Sequence, residues 1–267
     1  MSLQRLLLTF CMFYILYSCN NEKEFILENG IIIEKFDSIV KDINRYNHDN
    51  RIYRPNSTFI FNYNYSKNGK NYKFEKNGDQ WDFTSTDSIS SNTVLKYKMG
   101  IRSGLKPMIK YNPDYNQTVI MFSYPPIESN NVTGLIENKH NIWVHPPRES
   151  MFRILELNPF PFIKSPYEIG NSWTWKLNVG DKWGDYRWKE WNGTILNEMY
   201  YEIIDYKKEN TTFGVLDCFI VKGTAMSKLG NTKLTAYFNE DFGFIKLDYL
   251  NIDGSKIIIA LESIDSK

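Results

Sequence analysis

The run of residue types most suggestive of chemistry in this chain is the segment 140–148, which reads His-Asn-Ile-Trp-Val-His-Pro-Pro-Arg. It places two histidines, His140 and His145, five residues apart. In an extended strand these residues point to opposite faces of the sheet, so the two imidazoles cannot bind one metal ion together. The chain has 3 histidines in total, which leaves few ways to build a histidine-based catalytic triad. We therefore interpret the segment as a strand that ends at two prolines, and we expect no metal site.

Carboxylates and tryptophans alternate in a second segment. It contains Asp181, Trp183, Asp185, Trp188, Glu190 and Trp191. Glycoside hydrolases place two carboxylates on either side of a bound sugar, and aromatic rings beside acids suit such a substrate. An exposed loop after a tryptophan-rich strand has the same composition, so a glycan-cleaving enzyme is the alternative here. Trp183, Trp188 and Trp191, together with Trp143, are the candidate ligand-binding residues, and no catalytic residue is assigned.

The common catalytic and cofactor-binding motifs are absent from the sequence. It contains no Gly-x-Ser-x-Gly elbow, no His-Glu-x-x-His pair, no Cys-x-x-Cys pair and no glycine-rich phosphate loop. Cys218 lies in phase with Leu216 and Ile220, which indicates a buried, inert thiol, with a nucleophile as the alternative. We therefore expect no cofactor and favour a function without catalysis.

The charge balance argues against a nucleic-acid partner. The chain has 32 basic and 31 acidic residues, whereas a nucleic-acid-binding protein needs a basic face. Aromatic residues make up 16% of the 267 residues. Because aromatic residues suit strands more than helices, this composition favours a β protein.

Period-2 alternation around two tryptophans is the clearest structural signal. Trp173, Trp175, Leu177 and Val179 share one parity, which predicts a half-buried strand with both tryptophans in the core. Asn68-Gly69 predicts a hairpin turn. Further strands are predicted at residues 58–65, 71–74, 94–99, 108–111, 118–124, 199–206, 213–224, 232–238, 242–249 and 256–261. Sequential strands joined by tight turns indicate an antiparallel sheet.

One amphipathic helix is predicted near the N-terminus. Apolar residues recur at spacings of 3 and 4 between Ile31 and Tyr46, which is typical of a helix packed on a sheet. The expected organisation is a signal peptide at 1–18, a tether at 19–30, this helix with an N-terminal β lobe at 31–147, a Pro-rich connector at 148–166 and an antiparallel β meander at 167–267.

The N-terminal 19 residues resemble a bacterial lipoprotein signal. Arg5 precedes an apolar run from Leu6 to Tyr17, which is too short to span a membrane. The run ends in Leu-Tyr-Ser-Cys, which resembles a lipobox. The resemblance implies cleavage before Cys19 and acylation of this cysteine, for example with palmitate, and Asn20 after it implies the outer membrane of a Gram-negative cell. An ordinary cleaved signal with an incidental cysteine is the alternative.

The second half resembles a group of uncharacterised envelope lipoproteins. The segment 167–175, Tyr-Glu-Ile-Gly-Asn-Ser-Trp-Thr-Trp, is similar to the opening strand of these proteins, and 242–247, Phe-Gly-Phe-Ile-Lys-Leu, is similar to their closing strand. The resemblance covers about residues 165–262. It implies a curved antiparallel sheet like the half-barrel of the lipoprotein carriers LolA and LolB, and it implies no activity.

The expected protein is therefore mainly β, a curved antiparallel sheet or half-barrel with one N-terminal amphipathic helix, in one or two lobes. We expect a lipid-anchored envelope protein facing the periplasm or cell surface. It would bind an apolar or lipid-like ligand, or another envelope component, without catalysis; a carbohydrate-binding protein is the further alternative. Asp37-Ser38-Ile39 and Asp87-Ser88-Ile89 resemble bacterial O-glycosylation acceptors, which predicts modification at Ser38 and Ser88.

Overall fold

Sixteen strands make up most of the described chain in this structure, a computed structural model. It describes residues 23–35, 43, 45–77, 80–86, 97–110, 112 and 115–266. The strands are β1 (Phe25–Glu28), β2 (Ile31–Glu34), β3 (Ser57–Lys67), β4 (Lys70–Asn77), β5 (Gln80–Ser85), β6 (Tyr97–Ile101), β7 (Thr118–Tyr124), β8 (Ile127–Glu137), β9 (Asn141–Val144), β10 (Phe162–Lys164), β11 (Ser172–Gly180), β12 (Thr194–Thr211), β13 (Gly214–Ser227), β14 (Gly230–Asn239), β15 (Gly243–Leu250) and β16 (Lys256–Ser266). Among the described residues, the helical elements with complete bounds are α1 (Lys106–Ile109) and two 3-10 helices, Ser150–Leu157 and Asp181–Trp183.

Twelve of these strands form one nearly closed, barrel-like antiparallel sheet, which confirms the predicted fold class. Their order is β10-β9-β8-β7-β6-β3-β16-β15-β14-β13-β12-β11, and β4 and β5 extend from β3. The two end strands approach each other. Asn171 Nδ2, next to β11, donates a hydrogen bond to the backbone oxygen of Lys164 on β10 at 3.1 Å. Phe162 and Trp173 meet edge to face across the same gap, with ring centroids 5.6 Å apart.

The two segments predicted as lobes contribute to this one sheet. β3 pairs with β16 along ten residue pairs and with β6 on its other side. A hydrogen-bonded ladder therefore runs without interruption from the first half of the chain to the second.

The tryptophan strand has the predicted parity. Trp173 and Trp175 are buried on the inner face of β11, whereas Ser172 and Thr174 are exposed. The Trp173 ring stacks on Tyr201 of β12 with an interplanar angle of 5°. The prediction that both tryptophans are core residues is confirmed.

The connector between the two halves lies against the concave side of the sheet. Phe152 of the longer 3-10 helix packs on Tyr97 of β6, with ring centroids 5.8 Å apart. At the end of this helix the backbone oxygen of Leu157 accepts hydrogen bonds from Asn197 Nδ2 on β12 and Thr232 Oγ1 on β14. The connector thus satisfies buried polar groups of β12 and β14 while its Phe152 packs on β6.

Two local predictions are wrong. Ile31–Glu34 is a strand and not the start of a helix, because Asn29 and Gly30 adopt positive φ angles of 50° and 90° and turn the chain into a hairpin with β1. Residues 36–42 of the predicted helix lie outside the described residues. The strand predicted at 108–111 is instead α1 at Lys106–Ile109, where a proline in the first turn favours a helix start.

Candidate functional site

A cavity of about 350 Å³ lies between the β1–β2 hairpin and the inner side of the sheet. The hairpin, strands β8, β9 and β11, and the connector share its wall. The residues that matter most below are Ile33, Trp143, His145, Glu156, Phe160 and Trp175. We call this space the aromatic cavity.

Three aromatic rings form one wall of the aromatic cavity. The ring centroids of Trp143 and Phe160 are 5.8 Å apart, those of Trp143 and Trp175 are 5.5 Å apart, and those of Phe160 and Trp175 are 5.0 Å apart. At these separations the rings touch one another. The rings therefore pack mainly against one another, and because each is at most 5% exposed, little of their surface faces the cavity.

His145 enters the cavity wall directly after β9. Its ring lies at the edge of Phe160, with centroids 4.8 Å apart. Nδ1 lies 2.8 Å from the backbone oxygen of Pro146, and because a carbonyl oxygen can only accept, Nδ1 carries the hydrogen. Burial, helped by the charge of Arg148, lowers the pKa of the His145 imidazole to about 3. The ring is therefore neutral around pH 7, and Nε2 is a free acceptor.

Glu156 faces His145 from the connector. Its Oε1 is 3.3 Å from Nε2 of His145, and both side chains are almost fully buried. The contact is close but is not directed as a hydrogen bond, so Oε1 has no hydrogen-bond partner within the described part of the chain. Burial raises the pKa of the Glu156 carboxyl to about 7, against the lowering effect of Arg148 and Lys182. A carboxyl group that is partly protonated near neutral pH can donate as well as accept.

Two indole N–H groups of the wall also lack partners. Trp143 Nε1 and Trp175 Nε1 are buried and form no hydrogen bond with any residue that the structure describes. A buried donor without a partner costs about 1–3 kcal/mol. Two residues that border the cavity thus have buried indole donors without a partner among the described residues.

Side-chain amides hold the β1–β2 hairpin over the cavity. Asn141 Oδ1 accepts the backbone N–H of Ile32 at 2.8 Å, and the Nδ2 groups of Asn141 and Asn138 donate to the backbone oxygen of Ile32. Ile31 and Ile33 are buried beneath the hairpin. The hairpin takes the position over the concave sheet that the sequence had suggested for a helix.

Polar residues surround the mouth of the cavity. Asn116 Nδ2 donates to Glu28 Oε2 at 2.9 Å, which ties the hairpin to the loop before β7. Lys176 is exposed and forms an ion pair with Glu198 of β12. The side chains named here at the mouth are paired with each other. The buried polar atoms named above, which lack a hydrogen-bond partner among the described residues, belong to residues of the wall.

A larger cleft of about 420 Å³ lies beside the hairpin, and half of the residues that line it are charged. Several of these charges are paired within the fold. Lys23 pairs with Glu34 and Asp49. The carboxylate of Glu137 accepts the backbone N–H groups of Arg51 and the next two residues at 2.7–2.9 Å. These contacts tie the N-terminal segment to the sheet.

The predicted tryptophan segment forms a separate, partly buried cluster. Trp183, Trp188 and Trp191 pack against a small apolar cluster around Val179 and Ile195. All three are half-buried, and Trp188 also packs against the main core. Trp143 is buried and lines the aromatic cavity instead, so the four predicted ligand-binding residues do not form one site.

Arginines occupy the neighbourhood of these indole rings. Arg148 and Arg153 lie 5.7 and 5.9 Å from the ring centroid of Trp183. Arg187 lies 5.1 Å from the ring centroid of Trp188 and also binds both carboxylate oxygens of Asp185 at 2.9 and 2.8 Å. The Arg187 ion pair holds the pKa of Asp185 below its usual value. Asp185 is thus a structural carboxylate of this loop.

The remaining predicted sites have different outcomes. Cys218 is fully buried, as predicted, and burial raises the pKa of its thiol to about 11, so it is not a reactive nucleophile. Cys19, Ser38 and Ser88 lie outside the described residues. His140 lies at the edge of Phe25, away from the aromatic cavity.

Two further features concern metals and membranes. Within the described ranges, no three His, Cys, Asp or Glu side chains are grouped so that they could hold a metal ion. None of the helices in the same ranges combines the length and the apolar character that crossing a bilayer requires.

Comparison with known proteins gives distant structural neighbours only. No protein-family profile matches the chain, and no curated protein matches it. A solved structure described as an exported protein with a YmcC-like fold from Bacteroides fragilis has 11% identity and a TM-score of 0.43, and the match covers 80% of this chain and 98% of that one. One described as a lipoprotein from Parabacteroides distasonis has 10% identity, a TM-score of 0.41 and coverage of 80% and 97%.

The third neighbour is the hypothetical lipoprotein YmcC from Escherichia coli K12. It has 9% identity and a TM-score of 0.29, with coverage of 80% of this chain and 89% of that chain. At these levels of similarity no residue of a neighbour can be matched to a functional role here, so the arguments below rest on the residues of this chain.

Sequence reasoning missed the pairing of His145 with Glu156. The sequence predicts that His145 lies at the end of a strand, and it gives no role to Glu156. One signal was available: Glu156 stands among apolar residues in Ser-Met-Phe-Arg-Ile-Leu-Glu-Leu, where a charged group on a buried segment is unusual. The partner of such a group cannot be identified from local sequence.

Proposed function

We propose that this protein is a lipid-anchored envelope protein of the outer membrane that binds an apolar or lipid-like ligand in the aromatic cavity without catalysis. One observation carries the proposal: a preformed cavity, bordered by Trp143, Phe160 and Trp175, lies beneath the N-terminal hairpin. Ligand sites in proteins are typically concave and apolar, with a few placed polar groups. Each buried CH₂ group of a ligand would contribute about 0.8 kcal/mol.

The size of the cavity limits the ligand. About 350 Å³ is at the lower end of the usual range of small-molecule sites, roughly 300–1,000 Å³. A single short chain, or the end of a longer one, would fit, whereas a complete two-chain phospholipid would not. The ligand of this proposal is therefore a small amphiphile or one acyl chain.

The proposed anchor is compatible with access from the membrane. Cys19 precedes Lys23, the first described residue, by four positions, and an extended chain spans at most about 3.6 Å per residue, or about 14 Å in total. An acylated Cys19 would keep the start of the hairpin within that distance of the lipid surface. The hairpin covers the cavity, so a ligand leaving the membrane would meet this side of the protein first.

A pair of matched substitutions tests the cavity. The mature chain, residues 19–267, contains every residue that lines it and can be produced without acylation. Leu177 of β11 lines the cavity, whereas Leu196 is exposed on the neighbouring strand β12. Leu177→Trp should fill the cavity and abolish binding of a fluorescent apolar probe such as N-phenyl-1-naphthylamine, whereas Leu196→Trp should bind as the wild type does. Equal binding by both variants, or no binding by the wild type, would refute the proposal.

Carbohydrate binding remains the second candidate because Trp183, Trp188 and Trp191 are partly exposed. Arg148 and Arg153 near Trp183 could donate hydrogen bonds to sugar hydroxyls while the ring stacks. For glycan cleavage a pair of free carboxylates is needed, and Asp185 is engaged by Arg187. Glycan-array binding that is lost in Trp183→Ala would favour this candidate over the aromatic cavity.

A further inference from the structure

The sheet leaves one strand edge open beside the aromatic cavity. We infer that the second half of β11, residues 176–180, is a docking edge for an extended segment of another protein, which pairs antiparallel with β11 and places apolar side chains in the cavity. This inference goes beyond the proposed function, because it adds a protein partner at the same cavity. A strand edge with unpaired backbone groups is a template for such strand addition.

The hydrogen-bond pattern of β11 shows which of its backbone groups face away from β12. The N–H of Ile203 donates to the backbone oxygen of Asn171 at 2.9 Å, and Ser172 lies opposite Glu202. Bonded positions alternate along an antiparallel pair. The odd-numbered residues of β11 therefore bond to β12, and the even-numbered residues turn their N–H and C=O groups to the opposite side.

These outward groups are unpaired at Lys176 and Asn178. The backbone N–H and C=O groups of both residues have no hydrogen-bond partner in the described ranges, and both residues line the aromatic cavity. Nearer the start of β11 the hairpin covers the edge, since a Cβ atom at Gly30 would lie 3.1 Å from the backbone oxygen of Thr174. The open part of the edge is therefore the part that borders the cavity.

An extended peptide matches this edge better than a purely apolar molecule does. Lys176 and Asn178 together offer two N–H donors and two C=O acceptors, and the two residues are about 7 Å apart along the strand. A peptide strand presents complementary acceptors and donors at the same spacing. An apolar molecule would leave all four backbone groups without a partner.

The two faces of the sheet determine the side chains of the partner. Leu177, between the two open positions, lies on the inner face with Trp175, and Ile33 borders the same cavity. Directly opposite residues of an antiparallel pair share a face, so every second side chain of a docked strand enters the cavity. These side chains should be apolar. The others lie on the outer face with Lys176 and Asn178, which are exposed, and should be polar.

Two backbone-methylated peptides test the docking edge with the mature wild-type chain, residues 19–267. The parent probe is acetyl-Glu-Thr-Val-Thr-Val-Thr-Glu-amide, and the measurement is isothermal titration calorimetry. In the antiparallel arrangement the threonine N–H groups face β11 and the valine N–H groups face away from it. N-methylation of the central threonine should therefore weaken binding by about three- to tenfold or more, since one hydrogen bond has an effect of this size. N-methylation of the valine that follows should change binding by less than about twofold.

The possible results are distinct. Equal binding of the two methylated peptides, tighter binding of the threonine-methylated one, or no binding of the parent probe would refute the inference. Binding of N-phenyl-1-naphthylamine by a chain that does not bind the parent peptide would refute the docking edge and leave the proposed function standing.

Proline substitutions in β11 test the position of the edge. Asn178→Pro removes an N–H that faces the cavity and keeps the ladder with β12, because proline is tolerated where the N–H of an edge strand is unpaired. It should weaken binding of the parent peptide about three- to tenfold. Ser172→Pro is the matched control, since the N–H of Ser172 faces the same side but Ser172 does not line the cavity. Urea unfolding shows whether both variants are folded. Wild-type binding by a folded Asn178→Pro chain, or an equal loss in Ser172→Pro, would overturn the assignment.

Discussion

Substitution of Trp175 by alanine tests the inner face of the sheet and the wall of the cavity together. Trp175 is 5% exposed and contacts Trp143 and Phe160, so its side chain is almost entirely removed from water. Its neighbours come from β9 and the connector, which cannot easily collapse into the space that the indole leaves. The substitution should therefore remove apolar burial and leave a void.

The expected loss follows from the buried area. An aromatic side chain of this size buries about 150–250 Å², which at about 25 cal/mol per Å² corresponds to about 4–6 kcal/mol. Alanine retains part of this area, and measured losses for buried tryptophans are about 3–5 kcal/mol. We therefore expect a loss of about 4 kcal/mol, out of a total stability of roughly 5–15 kcal/mol.

Urea unfolding followed by far-UV circular dichroism measures this loss. With a denaturant slope of about 3 kcal/mol per M, the loss lowers the urea midpoint by about 1.3 M. Tyr186→Ala is the control, because Tyr186 is 84% exposed and its removal should leave the midpoint nearly unchanged. A Trp175→Ala midpoint within about 0.3 M of wild type, at an unchanged slope, would mean that this face of β11 is not packed as described.

Three other predictions concern titration, anchoring and modification. Burial raises the pKa of Glu156 to about 7, above that of the unfolded chain, so the stability from this group is fully present below about pH 4.5 and is lost as the pH rises through 7. The free energy of unfolding of Glu156→Gln should therefore rise relative to that of wild type between pH 5 and pH 8, by at most about 3 kcal/mol. The same difference between the two urea midpoints at both pH values would contradict this. His145 is present in both chains, so its own titration does not affect the comparison. Cys19→Ala should abolish incorporation of labelled palmitate and release the protein from the outer-membrane fraction; unchanged labelling would show that the acyl group is elsewhere. Glycosylation at Ser38 or Ser88 predicts an intact mass above that of the lipidated polypeptide, and removal of the excess by alanine at the modified serine would locate it.

Most strands were predictable because their signal is local. Alternation of apolar and polar residues reports directly which side chains share a face, and in β11 it correctly assigned Trp173 and Trp175 to the core. β8 was missed because its first half, Ile-Glu-Ser-Asn-Asn, is polar, and it is a strand through its pairing with β7. The hairpin at β1–β2 was mistaken for a helix because its short apolar run fits both periods.

The candidate site was less accessible to sequence reasoning. Of the predicted ligand-binding residues, Trp143 lines the aromatic cavity, whereas Trp183, Trp188 and Trp191 form a separate cluster. Residue type alone favours any tryptophan as a ligand-binding residue. It does not distinguish a ring that borders a cavity from one that packs over a small apolar cluster.

The sequence alone determined the class of the fold, the inner face of its central strands and the inert state of Cys218, because each depends on the spacing of residues along one strand. Only the tertiary structure decided that β10 approaches β11, that the connector lies inside the sheet, and that the hairpin covers a cavity. His145 and Glu156 are 11 positions apart on two different elements, and Trp175 is a further 19 positions along the chain. Their meeting depends on how the sheet curves and on where the connector crosses it, which no local periodicity encodes.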